Sequence, residues 1–273
     1  MNDLLDTSVD TTNGLIQWGT DTSSQDSRQP FSFETSFERA PVVVNTRTGD
    51  NSERPLPIVS ADTEMFYIDR KDTVDRNERF HWLAVAGQEG NSTKAADIKN
   101  GDNKVAKIQW GTATCTKDGE QSFNYTQPFS KNCAIVIINR NKAGAEDILP
   151  VVKKTTTGFV IDRNDGISGD QSFSWIAIGD VNMTNGSFSI PFGNKIMKGG
   201  SATSKSDDAE SYYFKNFDLA AFGSDCDQVF IQRTDKGDEC VIPVVKEDKN
   251  YFTINRDSTI KGDAHFDWIA IGK

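Results

Sequence analysis

A chain of 273 residues with 36% hydrophobic residues and a formal net charge of −10 is an acidic folded protein, long enough for about two domains of ordinary size. The charge disfavours phosphate backbones and anionic membrane surfaces, so neither nucleic acid nor membrane insertion is expected. No stretch approaches the roughly 18 apolar residues of a membrane span, and the opening MNDLLDTSVDTTNG carries acidic residues and no apolar run of signal-peptide length.

In chain order, the first strand signal is LIQWGT at 15–20, followed by PVVVNT at 41–46, MFYIDR at 65–70 and FHWLAVAG at 80–87. Clusters of Gly, Asn, Asp, Lys and Thr, the punctuation of turns, separate them. The polar stretch QEGNSTKAADIKNGDN at 88–103 reads as a linker between units. Six short strands then follow: KIQWGT (107–112), QSFNYTQPF (121–129), CAIVIINR (133–140), DILPVVKK (147–154), GFVIDR (158–163) and SFSWIAIG (172–179). KIMKGG (195–200), QVFIQ (228–232), YFTINR (251–256) and FDWIAIGK (266–273) complete the pattern. No window of helical length keeps a 3.6-residue period, so the chain reads as all-β.

The pattern is periodic. Trp82, Trp175 and Trp268 are 93 residues apart (175 − 82 and 268 − 175), and so are Pro57, Pro150 and Pro243, Arg47, Arg140 and Arg233, Phe66, Phe159 and Phe252, and Arg70, Arg163 and Arg256. Three tandem units follow, at 1–90, 104–180 and 185–273, overriding the two-domain prior. Each reads as a six-stranded antiparallel β-sandwich. KIMKGG aligns on LIQWGT and KIQWGT with Lys198 in the place of Trp18 and Trp110.

The last strand of each unit is apolar on both faces. Phe173, Trp175 and Ala177 alternate with Ser174, Ile176 and Ile178, and Phe266, Trp268 and Ala270 with Ile269 and Ile271. A strand with one solvated face would alternate apolar and polar, so these are covered twice, once by their own sandwich and once by a neighbouring unit. Three equal units can hide that second face by closing around a pseudo-threefold axis, a trimer made within one chain.

Taken together, the IQWG strand, the P-V-V step, the G-F-x-I-D-R-x-D strand and the terminal F-x-W-I-A-I-G resemble the C-terminal knob of bacteriophage tail-fibre proteins. That knob is similar to the H-type lectins, six-stranded sandwiches that trimerise and bind sugars between protomers. The resemblance implies a virion structural protein of tail-fibre or receptor-binding type, assembled in the host cytoplasm. Its implied partners are other phage structural proteins and a host cell-surface carbohydrate. No coiled coil or collagen-like repeat is visible, so the alternative is a non-adhesive accessory protein: a head decoration, neck or tail spacer docked on other virion proteins.

The resemblance points for glycan binding to Arg70 with Asp72, Arg163 with Asp165, and Arg256 with Asp257. A carboxylate accepting and a guanidinium donating in a fixed fork suit sugar hydroxyls; the competing role is an ion pair that fixes a turn. Arg47, Arg140 and Arg233, at strand ends, could form a ring if the units surround an axis.

No enzymatic activity, cofactor or metal is expected. His81 and His265 are the two histidines, with Ser174 and Asp267 at the positions equivalent to the first and Arg79 and Ser172 at those equivalent to the second, so no catalytic set recurs. DRNDGISGD at 162–170 misses the calcium-loop spacing and reads as an acidic surface loop. Cys115, Cys133, Cys226 and Cys240 lack zinc-knuckle spacing and read as partly buried free thiols, with an intradomain bridge in each of the second and third units as the alternative.

Overall fold

The computed structural model describes residues 8–11, 14–49, 55–70, 77–87, 94–142, 148–163, 169–206, 208–235, 241–256 and 262–273. Among them there is no α-helix; a 3-10 turn spans Phe214–Phe217, and the remaining regular structure is 21 strands, seven from each third of the chain. The first third gives β1 (Ser8–Thr11), β2 (Gly14–Ser23), β3 (Gln29–Ser32), β4 (Val42–Thr48), β5 (Ile58–Ala61), β6 (Met65–Ile68) and β7 (Glu78–Gly87). The second gives β8 (Ala95–Asn100), β9 (Asn103–Cys115), β10 (Gly119–Asn124), β11 (Cys133–Arg140), β12 (Val151–Lys154), β13 (Gly158–Arg163) and β14 (Gln171–Gly179). The third gives β15 (Ser187–Phe192), β16 (Lys195–Ser204), β17 (Glu210–Tyr213), β18 (Cys226–Arg233), β19 (Val244–Asp248), β20 (Tyr251–Ile254) and β21 (Ala264–Gly272).

The same local pairing recurs in every third. The last strand lies between the second and fourth: β7 between β2 and β4, β14 between β9 and β11, β21 between β16 and β18. The sixth lies between the third and fifth: β6 between β3 and β5, β13 between β10 and β12, β20 between β17 and β19. The recurring prolines open the fifth strands. Their carbonyls accept bonds from the residue before each recurring arginine: Asp69 N to Pro57 O (3.3 Å), Asp162 N to Pro150 O (3.2 Å) and Asn255 N to Pro243 O (3.1 Å).

The glycine of the IQWG motif also has a physical reason. Gly19 sits opposite Trp82 and Gly111 opposite Trp175, and a Cβ on either would lie 2.6 or 2.8 Å from the facing indole. The missing side chain makes room for the tryptophan that fills the unit's own core.

Both faces of the terminal strands are covered. Phe173, Trp175 and Ala177 pack with Tyr125, Phe129 and Phe159 in a core belonging to the second third; the first and third have matching aromatic cores around Trp82 and Trp268. The opposite faces meet in a central cluster shared by all three thirds, where Leu83 and Val85, Ile176 and Ile178, and Ile269 and Ile271 come together with Trp18 and Trp110.

Three expectations need correction. The stretch at 88–103 is not merely a linker: residues 95–100 form β8, which pairs with β9 and sends Ala96 and Ile98 into the central cluster. β15 pairs with β16 in the same manner. Second, a backbone sheet crosses a unit boundary, because β19 meets β4 in parallel at Val244 and Thr48, joining strands of the first and third units in one seven-stranded sheet. Third, Lys198 is not the equivalent of Trp18 and Trp110. Trp18 faces Leu83, Trp110 faces Ile176, and it is Gly199 that faces the corresponding Ile269. The tryptophan's space is taken by Phe188 of β15, whose ring would lie 2.6 Å from a Cβ on Gly199.

Candidate functional site

Arg163 ends β13, and Arg70 and Arg256 stand two residues beyond the ends of β6 and β20. Arg70, Arg163 and Arg256 are all buried, with exposures of 4%, 2% and 3%. Arg70 pairs with Asp26 at 2.7 Å and reaches the carbonyl of Ser23. Arg163 places Nε 3.3 Å from Asp118 and donates to the carbonyl of Gly169 at 2.8 Å. Arg256 donates to the carbonyls of Ser204 and Gly262. Each of these guanidiniums ties loops within its own third, and the structure does not bring the three together. Asp72, Asp165 and Asp257 lie outside the described residues, as does most of the acidic stretch at 162–170.

The other arginine set does converge. Arg47, Arg140 and Arg233, with Thr46, Asn139 and Gln232, line one cavity of about 50 Å³ where the thirds meet. Backbone groups are bonded across it: Ile231 N donates to Thr46 Oγ1 (3.1 Å) and Ile138 N to Gln232 Oε1 (2.8 Å). Arg47 pairs with Glu78 at 2.7 Å and Arg233 with Asp235 at 3.2 Å. A volume of this size holds a water or two and excludes a sugar ring. The arginine ring therefore belongs to the closure of the fold.

An open groove of ligand size lies elsewhere, between the middle and last thirds of the chain, with a volume of about 530 Å³. Small-molecule sites run from about 300 to 1,000 Å³. β12 supplies Lys153 and Lys154, β16 supplies Ser201 and Thr203, β21 supplies His265 and Asp267, and Asp235 follows β18. Lys154 pairs with Asp267 on the floor and donates to Ala134 O at 2.9 Å, while Ser201 donates to Asp267 at 2.7 Å. On the wall, Thr203 Oγ1 and His265 Nδ1 are 2.7 Å apart. Asp235 Oδ1 stands 4.0 Å from His265 Nε2. Sequence periodicity missed this place because the groove belongs to one junction and its residues do not recur.

His81 is fully buried at the boundary of the first and third units. Its Nδ1 is 2.8 Å from Thr20 Oγ1 and its Nε2 3.5 Å from Glu247, which also pairs with Arg79 at 3.2 Å. Burial pushes the imidazole below its ordinary value. Burial alone would raise Glu247, but His81 and Arg79 hold it below the usual carboxylate range.

Cys115, Cys133 and Cys226 are thiols with no disulfide, and Cys240 lies outside the described residues. Burial pushes Cys133 up to about 11, which keeps it protonated and unreactive at neutral pH. Among the described residues no group of three or more His, Cys, Asp or Glu could hold a metal ion, and no helix is long and apolar enough to cross a membrane.

Residues 108–180 match the family described as "Putative tail fiber protein gp53-like, C-terminal". The matched segment runs from β9 to the end of β14. The R2 pyocin fibre of P. aeruginosa, solved as a C-terminal fragment, is similar at 26% identity over 33% of this chain and 24% of the fragment, with a TM-score of 0.27. This chain thus spans about a quarter of that structure's length. No curated protein matches it.

Proposed function

We propose that the protein is a virion component of tail-fibre or receptor-binding type, in which three tail-fibre-like sandwiches close around a pseudo-threefold axis into one knob that recognises a host surface glycan. The observation that carries the proposal is the placement of the family match. It covers the second unit, and the first and third units repeat that unit's strand pairings, proline bonds and tryptophan packing. A shared apolar centre and one cavity lined by three equivalent arginines support the closure. A fibre role implies docking on other tail proteins.

Arg70, Arg163 and Arg256 serve this knob as loop braces, because guanidiniums this deeply buried have little surface to offer a sugar. Asp72, Asp165 and Asp257 follow those arginines closely in sequence, and direct glycan contact at these three pairs is the competing assignment.

The test is location, combined with competition. Gold-labelled antibody against the protein should decorate fibre or tail tips of intact particles, and the purified chain should slow adsorption of those particles to host cells. Label on the capsid or neck, with no competition, would establish the non-adhesive accessory role instead.

A further inference from the structure

We propose that the groove between the second and third units is a single saccharide site, selective for a sugar carrying an acidic substituent, and that the other two junctions have no equivalent. The proposal rests on the glycan-recognition reading above and specifies where it acts and on what.

The groove is built to receive a hydroxyl. Asp235 uses Oδ2 for Arg233 and for the backbone N–H of His265. Its Oδ1 stands 4.0 Å from His265 Nε2. That gap is too long for a hydrogen bond but suits a hydroxyl inserted between the two atoms. If the Thr203 hydroxyl donates to Nδ1, the ring proton sits on Nε2. The inserted hydroxyl then accepts from Nε2 and donates to Oδ1. The floor is already tied by Lys154, Asp267 and Ser201, so binding requires little reordering there.

Charge selects the substituent. Lys154 is balanced by Asp267 and Arg233 by Asp235, which leaves Lys153 on β12 as the remaining cation among the groove's described residues. It favours a carboxylate or phosphate on the sugar. Phe266 is fully buried and offers no stacking face. Recognition therefore depends on hydrogen bonds and charge and is weak per site, with strength coming from several chains on one particle.

The 93-residue register shows that the site is singular. His265 is replaced by Arg79 in the first unit and Ser172 in the second, and Asp235 by Gly49 and Lys142. At the junction of the third and first units, Glu247 is already engaged by Arg79 and His81. At the junction of the first and second, the positions of Lys153 and Lys154 hold Ser60 and Ala61. The junction of the third and first units does hold a carboxylate, an imidazole and a lysine, as Glu247, His81 and Lys246, but there the imidazole is fully buried and stands 3.5 Å from Glu247, so that no gap is open to a sugar hydroxyl.

The experiment uses the full chain on an array of purified bacterial surface polysaccharides with neutral, uronic-acid and phosphate-substituted repeats. Acidic repeats should bind. His265→Ala and Lys153→Ser should each weaken that binding roughly tenfold, about the worth of one hydrogen bond. Arg79→Ala and Ser172→Ala should leave it unchanged. Both groove residues reach solvent, so matched unfolding curves would show that the fold is intact; Asp235→Asn is a third variant, read alongside its stability. Binding that ignores the groove changes, or falls equally with the Arg79 and Ser172 changes, overturns the single site but leaves glycan recognition standing. Binding confined to neutral repeats overturns the acidic assignment. Failure of the unmodified chain to bind any repeat overturns the glycan reading and this site with it.

Discussion

Lys154 of the second unit is ion-paired with Asp267 of the third, 113 residues further along the chain. The same two positions at the next junction hold Glu247 and His81, and at the remaining one Ala61 and Ser174. Each boundary thus has different chemistry at one equivalent place. Identical boundaries would let neighbouring thirds exchange partners; here at least two boundaries are distinguished by the side chains that pair across them.

Removing one member of that pair should be costly. Asp267 is almost fully buried and Lys154 mostly so, and Asp267→Ala leaves an ammonium without its partner, at a cost of about 3 kcal/mol. Replacing both with well-packed apolar residues, as in Lys154→Met with Asp267→Leu, should restore most of that loss. Denaturant unfolding of the single and double variants measures both, and a single-variant loss below about 1 kcal/mol would mean that the junction gains nothing from the pair.

His81 should make the fold acid-sensitive. Its folded value lies below the ordinary 6.5 because of burial, so as pH falls through 6.5 the unfolded chain takes up a proton that the folded one refuses. Stability is therefore present above 6.5 and lost towards lower pH. Glu247, also held low when folded, adds a loss in the same direction at more acid pH, below its ordinary 4.5. Thermal midpoints measured from pH 7.5 to 5 should fall, and His81→Gln should flatten the fall between pH 6.5 and 5.

Much of this fold is legible in the sequence because its signals are local and repeated. The two-sided apolar strand around Trp175 predicts both a private core and a shared one, and both are present. The third unit's first strand misleads for a physical reason. KIMKGG aligns naturally on KIQWGT, yet the ladder opposite β21 is offset by one. Lys198 occupies the place of Gln17 and Gln109, which bond the backbones of Thr35 and Gln127; Lys198 bonds that of Ala220. The tryptophan's volume arrives from a different strand as Phe188, which no alignment of first strands can show. Likewise, AADIKN carries little β-branched or aromatic signal, and only its pairing with β9 reveals its buried side. The groove was not legible because it depends on residues that break the repeat.

Lys198 offers an alkaline test of that offset. Burial pushes its ammonium down to about 8, although the Phe222 ring 3.8 Å away favours the charged form. Between about pH 8 and 10.5 the unfolded chain holds a proton that the folded one has released, so stability should rise with pH across that window. Lys198→Gln, which installs the residue of the other two units, should remove the rise and change stability at pH 7 by no more than about 1 kcal/mol. A loss of several kcal/mol would show that glutamine cannot take over this loop contact.

Arg163 distinguishes a brace from a sugar contact. Its guanidinium links the end of β13 to Asp118 and to the carbonyl of Gly169, with 2% of its residue surface exposed. Arg163→Ala removes those bonds and leaves a void, so a destabilisation of about 2–4 kcal/mol is expected. Adsorption or glycan binding should then fall only at temperatures where the variant begins to unfold. Equivalent sites in three units could mask one another through avidity, so the decisive protein carries Arg70→Ala, Arg163→Ala and Arg256→Ala together, assayed well below its unfolding midpoint. Undiminished binding by that folded variant fits the brace. A stable triple variant that no longer binds would instead assign glycan contact to these arginines and to Asp72, Asp165 and Asp257 beside them.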